Sequence, residues 1–314
     1  MWDIKFPKPV IFLVGPTASG KTKLSIEIAK AFNTEIISAD SRYFYRGMDI
    51  GTAKPTIEEM NDIKHHMIDI VDPDETISVA GYKQKVGKII SGLHENQKIP
   101  IVVGGTGQYI HSIIYNWSMP QIEPDPILRE YLEKYALENG KEKLHSYLEK
   151  HDPEAAKFID FRNLRRTIRA VEVILKTGIK FSELRKSNKS IYSQKIIGIL
   201  WKREEVYKRI DERIDEMIQN GFIEEVQKLI NAGFNISTPA MSAIGYREIN
   251  YYLRGKCSLD EAIVLMKRNT RQYVRRQANW FKEDDPSIKW FDGEILDTGK
   301  VLAYLKSDEG WIQA

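Results

Sequence analysis

The chain has 314 residues, 42% of them hydrophobic and 29% charged, which is enough for one large domain or two unequal ones. Its formal net charge of +3 is too small to indicate nucleic-acid binding from charge alone, so any basic surface must be local. The single cysteine, Cys257, excludes an internal disulfide and a cysteine-rich metal site. No N-terminal leader pattern and no run of about 18 apolar residues occurs, so we expect a cytoplasmic protein.

The first pattern in the chain is a buried strand at residues 10–14, followed by a glycine-bounded loop and a helix that carries Leu24 and Ile28. In this context the motif G-x-x-x-x-G-K-[ST] predicts a loop that binds a diphosphate or polyphosphate. The loop consists of Gly15, Pro16, Thr17, Ala18, Ser19, Gly20, Lys21 and Thr22. Lys21 supplies a charge, and the hydroxyl of Thr22 can bind Mg²⁺. The loop alone does not establish a nucleotide ligand.

Further strands are predicted at residues 35–38, 67–71 and 100–103, with a helix at 78–94. Asp40 and Thr106 each follow a predicted strand, Thr106 within the turn 104–109. The carboxyl ends of strands in an open α/β sheet face the ligand crevice, so both side chains are candidates for the site. Asp40 could accept a proton or hold a metal-bound water there, or it could only cap the next turn.

Two segments predict an insertion. A proline-rich run at residues 117–126 and a polar run at 185–190 border a charged, helical stretch, after which a buried strand returns at 195–200. We therefore predict an α/β fold, with a parallel sheet of the P-loop NTPase type flanked by helices and an all-helical insertion domain. The core domain would span residues 1–116 and 191–314, with a helical C-terminal part, and the insertion would span 117–190.

The insertion contains a helix pattern with two distinct faces. One face carries four arginines at i, i+3, i+4 and i+7: Arg162, Arg165, Arg166 and Arg169. The other carries apolar residues expected to pack inward: Leu164, Ile168, Val171 and Leu175. Only Glu172 lies near the arginines. Because the face has one sign of charge, contact with a phosphate backbone is favoured over a merely solvated surface.

The C-terminal third is predicted to be helical until a last strand at residues 287–291. Its longest helix, about 259–281, carries arginines among aromatic residues, including Arg271, Arg276 and Tyr273. This pattern is typical of RNA contact, and it equally suits cations extended over an aromatic-packed helix.

Several motifs together resemble the tRNA dimethylallyltransferases, also called isopentenyl-tRNA transferases. They are the phosphate loop, Ser38-Ala39-Asp40-Ser41, the run Tyr45-Arg46-Gly47-Met48-Asp49-Ile50-Gly51-Thr52-Ala53-Lys54-Pro55, and Gly104-Gly105-Thr106-Gly107. Further matches are Asp125-Pro126 with Arg129, residues 165–173, Arg209 and Arg213 before Met217, residues 244–248, and residues 271–277. The zinc finger of eukaryotic members is missing, which indicates the bacterial form.

The resemblance implies transfer of a dimethylallyl group from dimethylallyl diphosphate to N6 of the adenosine 3′ of the tRNA anticodon. It implies that Asp40 is the general base, that Lys21, Thr22 with Mg²⁺ and Arg213 stabilise the leaving diphosphate, and that Thr106 holds the flipped adenine. The implied contacts to the anticodon stem-loop are Asp40, Ser41, Arg42, Tyr43, Thr106, Arg129, Arg165, Arg166, Thr167, Ile168, Arg169, Gly245, Tyr246 and Arg247. We expect a monomer.

The chain departs from the family pattern at Tyr43, where glutamine is common, and at Phe161-Arg162-Asn163, where Pro-Asn-Asp is common. Three alternatives stay open at this point. They are an ATP-dependent kinase with a helical lid, an RNA-binding protein switched by a nucleotide, and an isopentenyltransferase that acts on free adenylate.

Overall fold

The structure is a computed structural model, and it describes residues 7–119, 122–184 and 189–307. The chain forms two compact units, Met1–Ile114 with Ile191–Ala314, and Tyr115–Ser190. Two parts of the predicted border segments, residues 120–121 and 185–188, lie outside the described residues. None of the helices in the described ranges is long and apolar enough to cross a membrane.

The larger unit contains a six-stranded sheet in which every neighbouring pair of strands is parallel. Its strands are β1 (Lys8–Val14), β2 (Ile36–Ser38), β3 (His65–His66), β4 (Ile101–Gly104), β5 (Tyr192–Leu200) and β6 (Ile288–Asp292), in the order β3-β2-β4-β1-β5-β6. Residues 10–14 of β1 are fully buried, as expected for a strand covered on both faces. The predicted α/β fold class is confirmed.

The helices of the described residues follow in chain order. They are α1 (Lys21–Ala31), α2 (Ile57–Met60), α3 (Val79–Glu95), α4 (Gly107–Ile114), α5 (Pro126–Asn139), α6 (Lys141–His151), α7 (Pro153–Phe158), α8 (Leu164–Thr177), α9 (Phe181–Leu184), α10 (Arg203–Gln219), α11 (Phe222–Asn231), α12 (Tyr246–Leu253), α13 (Leu259–Ala278) and α14 (Thr298–Lys306). The apolar face of α1, with Leu24 and Ile28, packs with Val301 of α14 in the core beside the sheet.

The sheet register brings three loops to one edge. Val14 at the end of β1 pairs with Gly104 at the end of β4, and Ser38 at the end of β2 pairs with Val103. A Cβ at Gly104 would lie 2.4 Å from the backbone of Ala39, so only glycine permits this approach. The phosphate loop, Asp40 and Thr106 therefore start from adjacent positions.

The predicted strand at residues 67–71 is wrong, because the strand lies earlier, at His65–His66. Met67 and Asp69 have φ angles of 63° and 53°, in the left-handed region, which a strand cannot continue through. Val71 forms only an isolated bridge with Tyr45. This bridge fixes one end of the irregular segment that follows Asp40.

The smaller unit is helical and has its own core. Its buried apolar residues include Leu132, Leu144, Leu148, Ile168 and Val171. Helix α8 begins only after Asn163, whose side chain accepts a hydrogen bond from the Arg166 backbone. Arg162 therefore precedes the helix and pairs with Asp160, so its predicted place on the arginine face is wrong. Leu175, predicted to pack inward, is 49% exposed.

Glu172 is a buried carboxylate at the centre of the charged residues of this unit. Its side chain is 0% exposed, and it accepts hydrogen bonds from Arg129 Nε and Nη2 (2.9 and 2.8 Å), the Asp125 backbone (2.8 Å) and Arg169 (2.5 Å). Burial by itself would raise its pKa, but these hydrogen bonds lower the pKa to about 2. Arg129 and Arg169 thus have an acidic partner within the unit.

The buried carboxylate predicts a pH-dependent stability. A pKa lowered from 4.5 to about 2 means that Glu172 stabilises the fold above pH 4.5, and that this contribution is lost as the pH falls towards 2. Replacing Glu172 by Gln should lower the free energy of unfolding at pH 7 by about 1–3 kcal/mol, because two partly exposed guanidinium groups lose their buried acidic partner. The replacement should also make the free energy of unfolding depend less on pH below 4.5, because the Gln side chain does not titrate.

Urea unfolding followed by circular dichroism at pH 7 and pH 3 measures both effects. Glu149→Gln, an exposed change in α6, is the matched control. Equal unfolding free energies for the two variants at pH 7 would contradict the prediction.

Candidate active site

The phosphate loop lies between β1 and α1 and is shaped by left-handed residues. Ala18 and Gly20 have φ angles of 62° and 90°. Two side chains bind the outer side of the loop: Trp201 Nε1 donates to the Ser19 carbonyl (3.0 Å) and Arg209 Nε donates to the Ala18 carbonyl (2.7 Å). The Arg209 guanidinium also lies 4.4 Å from the centre of the Trp201 ring. The loop is therefore fixed by Arg209 of α10 and by Trp201, which lies between β5 and α10.

Gln277, at the end of α13, joins the phosphate loop to the turn after β4. Its Oε1 accepts from the Thr17 backbone (3.0 Å), and its Nε2 donates to the Gly105 carbonyl (3.1 Å). A Cβ at Gly105 would lie 2.1 Å from this Nε2, so the amide fits only against glycine. The sequence did not predict this role, since the pattern at residues 271–277 indicates only RNA contact by arginines and a family resemblance.

Lys21 lies within the loop. Its Nζ donates to the Pro16 carbonyl (2.5 Å) and approaches Ser19 Oγ (3.4 Å). Burial lowers the pKa of Lys21 to about 7, the charge of Asp40 raises it in part, and Arg213 lowers it further. An anion bound beside Lys21 would favour its charged form.

Asp40 lies directly after β2, as its position in the sequence predicts. Its Oδ1 accepts a hydrogen bond from the Arg42 backbone (2.9 Å), so the carboxylate does cap the turn. Burial raises the pKa of Asp40, and the Arg42 hydrogen bond and the charge of Lys21 only partly oppose this. A carboxylate with a raised pKa beside a cavity can accept a proton more readily than an ordinary one.

Thr106 and two tyrosines surround Asp40. Thr106 Oγ1 accepts from the Ser41 backbone (3.2 Å), and the Tyr273 side chain also bonds to Thr106. The Tyr43 hydroxyl donates to the Ala53 carbonyl (2.8 Å) and bonds to the side chain of Thr22. Tyr43, a departure from the family pattern, thus connects the loop to the segment that follows Asp40.

Two cavities meet at these residues. A cavity of about 500 Å³ is lined by the phosphate loop, including Lys21 and Thr22. A second cavity of about 610 Å³ is lined by residues 51–53, the turn 242–247 and faces of α10 and α13. They share five lining residues: Thr17, Ala18, Asp40, Thr52 and Arg213. Asp40 and Arg213 therefore lie where a ligand in one cavity would meet a ligand in the other.

The residues present fit Mg²⁺ that arrives with a phosphate ligand. Within residues 7–119, 122–184 and 189–307, no group of three or more His, Cys, Asp or Glu side chains could hold a metal ion. Mg²⁺ in phosphate-binding sites, however, needs only one or two protein oxygens and keeps several waters. The Thr22 hydroxyl lines the cavity of the phosphate loop and provides such an oxygen.

The turn at Gly245, Tyr246 and Arg247 forms part of the wall of the second cavity. Buried Glu248 accepts hydrogen bonds from the Gly245 backbone (2.7 Å) and from Arg247 Nε and Nη2 (3.0 and 2.6 Å). The Tyr246 side chain is fully buried, and its hydroxyl donates to Glu225 (2.5 Å). Arg247 is thus positioned at the wall, whereas Tyr246 packs behind it.

The predicted RNA-contacting residues of the smaller unit differ in exposure. Arg165 is exposed, and Arg166 is half-buried with its guanidinium 5.5 Å from the Phe158 ring centre. Thr167 and Ile168 are buried, so their side chains support α8 from within. RNA contact by these residues stays a prediction.

The basic residues of α13 are largely paired with α10. Lys267 pairs with Asp215, Arg271 with Asp211, and Arg275 Nε donates to the Tyr207 hydroxyl. Arg276, by contrast, lines the second cavity. For Lys267 and Arg271 the structure therefore favours the helix-packing alternative over RNA contact.

Comparison with known proteins gives consistent matches. The IPP transferase family matches residues 43–284. A tRNA dimethylallyltransferase of Bacillus pumilus is 48% identical over 290 residues, which cover 92% of this chain and 91% of that protein. The tRNA isopentenylpyrophosphate transferase structure from Bacillus halodurans is 40% identical, with a TM-score of 0.72 and coverage of 98% and 97%.

A eukaryotic dimethylallyltransferase, solved in a study of its action on tRNA, has a TM-score of 0.83 at 28% identity. The match covers 96% of this chain and 79% of the eukaryotic chain. The resemblance stated from the motifs is confirmed.

The two hydrogen bonds of Gln277 predict a role in binding the anion. Replacing Gln277 by Leu should weaken binding of inorganic diphosphate with Mg²⁺ about 30-fold, because each of the two lost hydrogen bonds contributes about 1 kcal/mol to the loop geometry. Isothermal titration calorimetry measures this. Gln227→Leu, an exposed change on α11, is the control, and equal dissociation constants for the two variants would argue against the role.

Proposed function

This chain belongs to the IPP transferase family, and we propose that it transfers a dimethylallyl group from dimethylallyl diphosphate to N6 of the adenosine 3′ of the tRNA anticodon. Diphosphate is the second product. The observation that carries the proposal is the junction of the two cavities at Asp40 and Arg213. One cavity has the chemistry for a diphosphate, and the other has room for a nucleobase.

The phosphate loop binds the diphosphate of the donor. Its backbone N–H groups, the N-terminal end of α1, Lys21 and Arg213 stabilise the negative charge that grows on the diphosphate as the allylic C–O bond breaks. One well-placed electrostatic contact of this kind contributes about 10²–10³-fold in rate. Thr22 would hold Mg²⁺, which when bound supplies further positive charge to the diphosphate oxygens.

Asp40 accepts the proton from the acceptor amine. The lone pair of N6 forms the new C–N bond, the electrons of the C–O bond leave with the diphosphate, and the N6 proton passes to the Asp40 carboxylate. The raised pKa of Asp40, caused by burial, supports this assignment. Thr106, which bonds Ser41 and Tyr273 beside Asp40, is our candidate for holding the adenine that leaves the base stack.

The proposed tRNA contacts lie in both units, each considered by itself. In the larger unit they are Asp40, Ser41, Arg42, Tyr43, Thr106, Gly245 and Arg247, whereas the buried Tyr246 side chain packs behind this turn. In the smaller unit the exposed Arg165 is the strongest candidate, since Arg129 and Arg169 both bind Glu172. The monomeric state remains a prediction.

Transfer to free adenylate is the nearest rival. It would not require an exposed arginine on the insertion, whereas tRNA offers phosphates for such a residue. An ATP-dependent kinase could use the same phosphate loop, but the IPP transferase family match and the dimethylallyltransferase relatives argue against it. We therefore favour tRNA as acceptor and the allylic diphosphate as donor.

The test is incubation of the protein with Mg²⁺, dimethylallyl diphosphate or ATP, and either unmodified tRNA or free AMP. Mass analysis of digested nucleosides should reveal dimethylallyl-adenosine only with tRNA and the allylic donor. A modified free adenylate would move the assignment to the rival transferase. ADP formed with ATP, without any modified nucleoside, would overturn it in favour of a kinase or switch.

Replacement of Asp40 by Asn tests the general base. We expect kcat to fall about 10²–10⁴-fold, because the amide cannot accept the N6 proton, whereas tRNA should still bind through the other proposed contacts. Single-turnover transfer assays and filter binding measure the two quantities. Asp74→Asn, an exposed change, is the control, and an Asp40→Asn enzyme with more than about a tenth of the wild-type kcat would rule out the base assignment.

A further inference from the structure

Glu225, in the first turn of α11, binds a distant segment of the backbone. Its Oε2 accepts from the N–H groups of Asp49 (2.9 Å) and Ile50 (2.7 Å), and its Oε1 accepts from that of Gly51 (3.1 Å). Oε1 also accepts from the Tyr246 hydroxyl (2.5 Å). Burial and the adjacent Glu225 raise the pKa of Tyr246, so the hydroxyl stays protonated and donates. One carboxylate thus receives four hydrogen bonds from two separate segments.

Packing around Gly51 fixes the same contact. A Cβ at Gly51 would lie 2.0 Å from the Phe222 ring and 2.7 Å from the Tyr246 ring, so the backbone packs directly against both. The two rings are fully buried and meet edge to face, with centroids 5.0 Å apart. We call Glu225, Phe222, Tyr246 and residues 49–51 the Glu225 cluster.

The cluster connects two walls of the second cavity. Residues 51–53 follow directly from it and line that cavity, and Tyr246 belongs to the turn 242–247 on another side. Ala53 in turn accepts the hydrogen bond of Tyr43. By contrast, the phosphate loop is fixed by other side chains, Gln277, Trp201 and Arg209. Disturbing the cluster should therefore affect one cavity more than the other.

We propose that Glu225 is a positioning residue, which sets the shape of the nucleobase cavity by joining residues 49–51 to the turn at Tyr246. The inference rests on the proposed function, because it assigns the acceptor adenosine to this cavity. Glu225 acts through the backbone and contacts neither substrate. Hydrogen bonds from N–H groups to a carboxylate are about twice as strong as neutral ones, so a neutral side chain cannot replace it.

Replacement of Glu225 by Gln tests the proposal. The amide keeps the size of the side chain, but it turns one acceptor into a donor that faces backbone N–H groups. We expect the KM for tRNA to rise about 10- to 100-fold, because a shift of about 1 Å in a substrate-contacting wall has effects of this size. The KM for dimethylallyl diphosphate should change less than about threefold. Amide hydrogen exchange at residues 49–51 should become faster.

Glu224→Gln is the matched control. Glu224 is the adjacent residue on α11, has the same charge in the same helix turn, and is exposed. For Glu224→Gln we expect wild-type values of the KM for tRNA, the KM for dimethylallyl diphosphate and the rate of amide hydrogen exchange at residues 49–51. Tyr246→Phe keeps the ring and removes one of the four hydrogen bonds, so it should give a smaller rise in the KM for tRNA in the same direction.

The outcomes separate the two claims. If wild-type protein transfers no dimethylallyl group, the proposed function fails, while the exchange rates at residues 49–51 still test the cluster. If Glu225→Gln matches Glu224→Gln in the KM for tRNA and in exchange, the positioning role is overturned. If Glu225→Gln does not fold, Tyr246→Phe decides, and an unchanged KM for tRNA in that variant overturns the proposal.

Discussion

The parallel register of β2, β4 and β1 is the constraint on which the candidate site depends. It brings the ends of three strands to one edge, and the bare backbone of Gly104 lets β4 and the residue before Asp40 approach within contact distance. From that edge the phosphate loop, Asp40 and Thr106 need only short loops to meet. The chemistry proposed for the site, anion binding beside a proton acceptor, follows from this adjacency and not from any one residue.

A second arrangement recurs in the structure. A glutamate carboxylate that is buried or mostly buried accepts hydrogen bonds from several groups and so fixes their positions. Glu172 binds two arginines and a backbone N–H, Glu248 binds Arg247 and the backbone of Gly245, and Glu225 binds three successive N–H groups. Each carboxylate receives several hydrogen bonds, which oppose the cost of removing its charge from water. In the larger unit such carboxylates lie behind the cavity wall, where they fix the residues that face a ligand.

The sequence predicted the parts of the site that depend on local pattern. The phosphate loop and the positions of Asp40 and Thr106 follow from strand–loop–helix spacing, because that geometry is set within a few residues. Gln277 and Glu225 could not be found in this way, since the backbone groups that they bind lie more than 170 residues away in the chain. The error at residues 67–71 has a local cause. Met67 and Asp69 have left-handed φ angles, which the largely apolar sequence of this segment does not indicate. Arg162 was misplaced because the helix begins two residues after it, at Leu164, and not at the first of the spaced arginines.

The contacts of Arg209 and Trp201 to the phosphate loop have a consequence for the opposite side of the loop. A trans peptide unit is planar, so its C=O and N–H point in opposite directions. Arg209 binds the carbonyl of Ala18, and Trp201 binds that of Ser19. By fixing these two oxygens, the pair also fixes the direction of the N–H vectors of Ser19 and Gly20, which leave the same peptide planes on the other side. The direction in which these N–H groups point is thus set by two side chains that need not contact an anion bound within the loop.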